Sequence, residues 1–356
     1  MPRKAGIVDV AHAAGVTAST VSRVLNGDPT VRVRPDTRER ILSAARAVDY
    51  RPNQAARALR HARVGAIALA VHDVSNPVYA PIIAGAQDAA TSRDHVLLVA
   101  DVAELARNHA FAHTIRSGLA DGLLLLPAGD GSDQTVIRTV SRVLPTVIVN
   151  DAYGNSPSVG VDDRAAMRLI TEHVIGLGHR EIGLLAMDGD GRRAQDRSEA
   201  WQETLREHNI PVVADWQTVG GHTVESGRAA AEQILSRAKR PTAITAASAL
   251  AAIGAIDAAR ARGITVPDEL TVTGFHDLFL ADYLDPPLTV VETPMRAIGE
   301  QSVDLLLRLL DGGAVEHRVI HEPAPVIIIR GSSAPPRRRT RSSRPRAALP
   351  RDSVER

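Results

Sequence analysis

The sequence predicts an all-α helix-turn-helix headpiece joined to an α/β body of two lobes, each a doubly wound parallel sheet. Three observations predict it. The first 50 residues carry three short apolar repeats at helical spacing, broken at Gly15 and at Asn26-Gly27. From Val64 onward, short apolar runs alternate with longer helical patterns, which is the texture of parallel strands buried on both faces. The charge is also divided. Residues 1–63 hold 12 Lys/Arg against 5 Asp/Glu, and residues 331–356 hold 8 Arg against 2 acids. The stretch between is left with 22 basic and 34 acidic groups.

In the headpiece, Ile7, Val10, Ala11 and Ala14 share one helical face, and Gly15 is a C-terminal stop. Thr17 is placed to cap a second helix, whose inner face is Val21, Val24 and Leu25. A third helix is expected from about Asp36 to Val48, with Ile41, Leu42, Ala45 and Val48 inward. After Tyr50-Arg51-Pro52-Asn53, the Ala-rich stretch Gln54 to Leu59 is too short to stand alone as a helix. The expected strands are Val64–Val71, Val96–Ala100, Gly122–Leu126, Thr146–Asn150, Ile182–Ala186, Gln217–Gly220, Ala243–Ala246 and Leu270–Thr273. That is more βα units than one sheet usually needs, so two similar lobes are expected. The Pro-, Ser- and Arg-rich residues 332–356 read as a disordered tail.

Composition narrows the function classes. There is no cysteine, hence no disulfide and no thiol chemistry. No run of 18 apolar residues is present, and the N-terminus lacks the apolar core of a signal peptide. A cytoplasmic, nucleoid-associated protein with no membrane role is expected. A basic head on an acidic body is the electrostatic footprint of a nucleic-acid-binding domain, the alternative being a solvated charge run.

Two short helices around a glycine turn place the second helix in the DNA major groove. Its outward residues are read as Ala18, Ser19, Thr20, Ser22 and Arg23. Thr17 sits where a helix N-terminus meets a phosphate, and Arg23 has the fork to grip a guanine or a phosphate. The motifs Asp9-Val10-Ala11, Ala14-Gly15-Val16-Thr17 and Ser19-Thr20-Val21-Ser22-Arg23-Val24-Leu25-Asn26 resemble the signature of the lactose-repressor (LacI/GalR) family. So do Thr37-Arg38-Glu39-Arg40-Ile41, Tyr50-Arg51-Pro52-Asn53, Ser75-Asn76-Pro77, Leu177-Gly178-His179-Arg180 and Arg330-Gly331-Ser332. The resemblance covers roughly residues 6–334. Arg34 before Pro35 departs from it, because the family usually places a capping serine there.

The resemblance implies a DNA-binding regulator, a repressor, working as a homodimer on double-stranded palindromic operator DNA. It implies a headpiece over 6–52 and a hinge helix over 53–62, in which Asn53, Ala56 and Leu59 face the minor groove and Leu59 is the wedge. Asn26 joins Thr17–Arg23 in the DNA-binding set. The sensor would divide into an N-lobe of about 63–161 and 291–320 and a C-lobe of about 162–290 and 321–331. A small-molecule effector, whether a sugar, a sugar acid or another polar metabolite, would lie between them.

Doubly wound sheets bind ligands at the carboxyl ends of their strands. The candidates there are Asp73, Ser75, Asn76 and Tyr79 from the first lobe, and the Asp188–Arg197 loop with Arg197 foremost, His222, Ser248 and His276 from the second. Arg197 matches the family arginine that grips the effector; its alternative is an ordinary surface helix arginine. Ser248-Ala249 stands where relatives carry Asn-Asp, His276 where they carry an aspartate, and His222 where they often carry an aromatic. The acids that would accept bonds from sugar hydroxyls are missing, so an acidic or acceptor-rich effector is expected. A cleft that no longer binds a small molecule is the alternative.

Other motifs lead nowhere. Gly189-Asp190-Gly191-Arg192-Arg193-Ala194 matches a dinucleotide fingerprint formally, but Asp188 and Asp190 would repel a pyrophosphate. The histidines lack metal-ligand spacing, and no nucleophile elbow appears. No cofactor, no metal and no catalysis are expected. His179 reads as a structural corner. A solute-binding protein and an α/β enzyme are the rival classes.

Overall fold

A computed structural model describes residues 6–25, 30–48, 50, 63–102, 118–127, 129, 137–189 and 191–337. The headpiece holds α1 (Ile7–Ala14), α2 (Ala18–Leu25) and α3 (Pro35–Ala47). Val10, Ala11, Ala14, Val21, Val24, Ile41 and Ala45 form its buried core. Gly15 ends α1 in the left-handed region at φ 65°, where a side chain would be strained. The Thr17 hydroxyl accepts a bond from Thr20 N at 3.2 Å, so Thr17 caps α2 as expected. Arg34 precedes α3 with no side-chain cap, and Pro35 supplies the pre-set φ of the first turn instead.

The body consists of two six-stranded sheets. The first has β1 (Ala66–Val71), β2 (Val96–Asp101), β3 (Gly122–Leu126), β4 (Thr146–Val149), β5 (Ser158–Val161) and β11 (His317–Ile320). Its order is β11-β5-β4-β3-β1-β2, all parallel. The second has β6 (Ile182–Ala186), β7 (Gln217–Val219), β8 (Ala243–Ala246), β9 (Thr271–Phe275), β10 (Thr289–Glu292) and β12 (Val326–Ile328). Its order is β12-β10-β9-β8-β6-β7, parallel except for β12. Every residue of β1, β3, β4, β8 and β9 is buried, which is why these strands read as largely apolar runs, interrupted only by threonine in β4, β8 and β9.

Helices α4 (Ala80–Thr91) and α9 (Met295–Leu310) pack on the first sheet. The second carries α5 (Asp163–Gly176), α6 (Arg192–Glu207), α7 (Val224–Leu235) and α8 (Ala249–Ala261). The order reverses at β1/β3 in one sheet and at β6/β8 in the other, so each lobe has its switch-point crevice there.

Several expectations change. β5, β10, β11 and β12 were not anticipated; each is three or four residues long, β11 is a half-exposed edge with only Val319 and Ile320 apolar, and β12 is a half-exposed edge within the apolar run Val326–Ile329. β10 keeps the chain in the second lobe through Glu292, so the crossing falls after Glu292 rather than at 290/291. Ser22 is buried, at 8% exposure, because it lies beside Val21 on the inner flank of α2; it is not an outward residue. Residues 332–337 are not tail. Ser332 is fully buried and its carbonyl accepts Val272 N at 2.9 Å. His179 bridges Thr242 Oγ1 at 2.8 Å and the Ala334 carbonyl at 2.9 Å, making it the structural corner expected. Asn26, the hinge with Asn53, Ala56 and Leu59, and residues 338–356 lie outside the described residues.

Candidate functional site

On the headpiece, α2 presents Thr17, Ser19 and Arg23 exposed, with Ala18 and Thr20 half-buried. The Thr17 and Thr20 hydroxyls are 2.9 Å apart, and Arg23 Nη2 donates to Thr30 Oγ1 at 2.7 Å. A polar helix start backed by a packed core presents backbone N–H groups and hydroxyls to an anionic backbone.

In the body, the carboxyl ends of the strands from both lobes face one another. From the first lobe come His72 after β1, Gly129 after β3, and Asn150 and Asp151 after β4. From the second come Asp188 and Gly189 after β6, His222 after β7, Ser248 after β8 and His276 after β9. Among the described residues, three close approaches join the lobes. The His72 and His222 rings stand edge to face, 6.0 Å apart. Gly189, at φ 90°, approaches Gly129 so closely that a Cβ on it would lie 1.9 Å from the Gly129 oxygen. Asp151 Oδ1 accepts Arg193 N, in the first turn of α6, at 3.3 Å.

Arg197 is fully buried and its donors are committed inside the second lobe. Nε donates to Asp163 Oδ1 at 2.7 Å, Nη1 to the Ala247 carbonyl at 2.7 Å, and Nη2 to His276 Nε2 at 2.9 Å. The guanidinium also lies 3.6 Å over the Phe275 ring, a cation–π contact. Burial pushes the Asp163 carboxyl up and the Arg197 guanidinium down, and the bonds between them oppose both shifts.

Burial, with Arg197 and Arg193 beside it, pushes the His276 imidazole well below its ordinary pKa. His276 is therefore neutral. Since Arg197 can only donate, Nε2 is the acceptor and Nδ1 donates to Thr293 Oγ1 at 2.8 Å. His276 holds φ 71°, an uncommon conformation for a residue with a side chain.

The corner around Arg193 is different. Arg193 is 4% exposed, and its Nε is 4.0 Å from Asp151 Oδ2. Neither atom has a hydrogen-bond partner among the described residues, nor has either amide atom of Asn150, which is 1% exposed. Burial works against the Arg193 charge, but Asp151, Tyr79, Asp163 and Tyr153 together hold its pKa above the ordinary value.

Asp73, Asn76 and His222 are bonded to near neighbours. Asp73 accepts the Ser75 amide at 2.8 Å and its hydroxyl at 2.7 Å; that hydroxyl bond, against slight burial, pulls the Asp73 carboxyl down. Asn76 caps Val78 N at 3.0 Å, and Tyr79 is buried. Ser248 is the N-cap residue of α8 but makes no side-chain cap bond. His222 Nε2 lies 2.8 Å from Asp188 Oδ1, and that bond pulls the Asp188 carboxyl below its usual range. His72, Asn150, Asp151, Asp163 and Arg193 were missed individually. The position of Asn150-Asp151 at the end of an expected strand was the signal available for two of them.

Comparison with known proteins agrees with both halves. Residues 6–53 match the model described as bacterial regulatory proteins, lacI family, and residues 171–333 match a periplasmic binding protein-like domain. The chain is 30% identical to the HTH-type transcriptional repressor CytR of Escherichia coli over 85% of its own length and 89% of that protein's. The crystal structure of the lac repressor dimer bound to operator and an anti-inducer superposes with a TM-score of 0.77 at 26% identity, covering 93% of this chain and all of that one. A complex of the transcriptional regulator CelR with cellobiose gives 0.69 at 27% identity, over 92% of this chain and all of that one.

Proposed function

Because this chain belongs to the lacI family of bacterial regulatory proteins and is a DNA-binding transcriptional repressor, we propose that it binds a palindromic operator as a homodimer under the control of a small molecule in the inter-lobe cleft. The observation that carries the DNA half is α2: a Thr17-capped helix start with Ser19 and Arg23 exposed, backed by a closed apolar core. Hydroxyls and N–H groups at such an end fix phosphate register, and Arg23 reads a base edge or a phosphate. Asn53, Ala56 and Leu59 enter the minor groove from the hinge, with Leu59 as wedge. The net +7 of residues 1–63 makes affinity steeply salt-dependent.

The C-lobe supports a dimer. Phe279, Leu280 and Tyr283 are 72%, 42% and 83% exposed on one short segment, an apolar surface suited to an isologous contact. The cleft supports the effector. It lies at the switch points of both sheets, and buried unsatisfied polar atoms line it. Effector binding changes the relative lobe positions, which couples the cleft to the paired hinges.

Selection of binding sites from a random duplex pool tests this. A two-fold symmetric consensus is expected, and Leu59→Ala should weaken it more than it weakens non-specific binding. Absence of any sequence-selective enrichment at moderate salt would overturn the regulator reading.

A further inference from the structure

Among the described residues, the start of α6 is a helix N-terminus without an anion from its own lobe. Its N-cap is Gly191, no side chain caps it, and its first turn holds no acidic residue. The carboxylate that serves it belongs to the other lobe. Asp151 Oδ1 meets Arg193 N at 3.3 Å, and Oδ2 stands 4.0 Å from Arg193 Nε. Glycine at 191 is what lets it in, because a Cβ there would lie 2.6 Å from Asp151 Oδ2 and 3.2 Å from Tyr153 Oη. So the second lobe offers a positive helix end and a buried guanidinium, and the first lobe plugs them with a carboxylate.

The plug fits poorly. Its backbone bond is long, Oδ1 is shared with Ala152 N at 2.8 Å, and Oδ2 and Arg193 Nε are buried and unpaired. Both amide atoms of the adjacent Asn150 are buried and unpaired as well. Such atoms forfeit hydrogen bonds that the unfolded chain makes to water. An oxyanion not tethered to the first lobe can meet the Arg193 fork and the first-turn amides at normal distances.

We propose that the α6 N-terminus and Arg193 form an oxyanion site which Asp151 occupies in the absence of ligand, and that the effector's recognised group is a carboxylate or phosphate that displaces Asp151. Displacement releases an inter-lobe contact, so binding there is coupled to lobe position. Arg197, bonded to Asp163, Ala247 and His276, is the fixed wall of the site rather than its gripping group. The proposal rests on the reading of the cleft as an effector site.

Thermal unfolding of the full chain tests it, with sodium acetate and sodium phosphate titrated separately against sodium chloride at equal ionic strength. In Asp151→Ala the vacated site should take up the added anion. Its Tm should rise saturably, by about 3 °C at ten times the half-saturating concentration. The Asp151→Ala/Arg193→Met double variant should respond to these salts only as to chloride, and wild type, in which the tethered Asp151 carboxylate competes, should need a higher concentration of the same anion for the same rise. If Asp151→Ala does not fold, Asp151→Asn carries the same comparison. A rise with acetate alone assigns the site to carboxylates, and a rise with phosphate alone to phosphate esters. No rise with either, or an equal rise in the double variant, overturns the proposal. Operator binding of the wild type is measured separately, so failure of the regulator reading stays distinguishable from failure of the anion site.

Discussion

Arg193 and Arg197 sit four residues apart on α6, both buried, both facing an aspartate, and they are held differently. Arg197 meets Asp163 at 2.7 Å, and the backbone of Ala247 and the ring of His276 take two more of its donors. Arg193 faces Asp151 at 4.0 Å, with unpaired atoms on both sides. The first pair lies within one lobe and the second spans two. A buried charge bonded wholly inside a rigid lobe is part of the scaffold. One completed only by the opposite lobe is a contact that a ligand can replace. The oxyanion site proposed above accordingly lies one turn nearer the start of the helix than Arg197.

The largest expected effect breaks the scaffold pair. Arg197→Met leaves Asp163 buried without its partner and should cost about 3–5 kcal/mol in chemical denaturation. Asp151→Ala removes a long helix cap at a lobe boundary and should cost about 1–2 kcal/mol. Equal losses from the two variants would mean that the pairs are equivalent, and the comparison would fail.

This contrast was hidden in the sequence for a definite reason. The partners of Arg197 lie 34, 50 and 79 residues away, and no local pattern encodes such contacts. What was legible was local or periodic. The headpiece showed itself through helical spacing and Gly15, and the central strands through their apolar runs. The edge strand β11 was not legible, because His317 and Arg318 leave only two apolar residues in it, whereas β12 was overlooked although Val326–Ile329 is an apolar run. Ser22 was misplaced because a serine carries no hydrophobic signal for its face. Residues 332–337 looked like tail by composition, but His179 and Thr271 hold Ala334 from afar.

Acid should act on the Arg197 corner first. The folded-state pKa of His276 lies well below its ordinary value of 6.5. Below pH 6.5 the unfolded chain takes up a proton that the folded protein refuses. The stability contribution is thus complete above that pH and is lost as pH falls toward the folded pKa. Burial lowers His173 and His179 too, so all three contribute to the acid limb. His276→Asn, chosen because asparagine tolerates φ 71°, should flatten the limb below pH 6.5 by about 1.4 kcal/mol per pH unit. An unchanged slope would show that His276 protonates freely, and the acceptor role of Nε2 would be wrong.

The smallest effect is the sharpest test of the Arg193 corner. Gly191 has φ −62°, so alanine fits its backbone without strain. Gly191→Ala also lowers the entropy of the unfolded chain, which favours folding by about 0.4–1 kcal/mol. Against this, the new Cβ would sit 2.6 Å from Asp151 Oδ2 and must push the carboxylate off the helix end. The two effects nearly cancel, so the single variant alone should look almost neutral. The pair of variants separates them. In the Asp151→Ala background there is no carboxylate to displace, and only the entropic gain remains. Gly191→Ala should then stabilise, with a coupling of about 0.5–1 kcal/mol between the two positions in a double-mutant cycle. Strict additivity would show that Asp151 does not rest on the α6 N-terminus in solution. The two arginine corners would then differ only in bond length and not in what holds them.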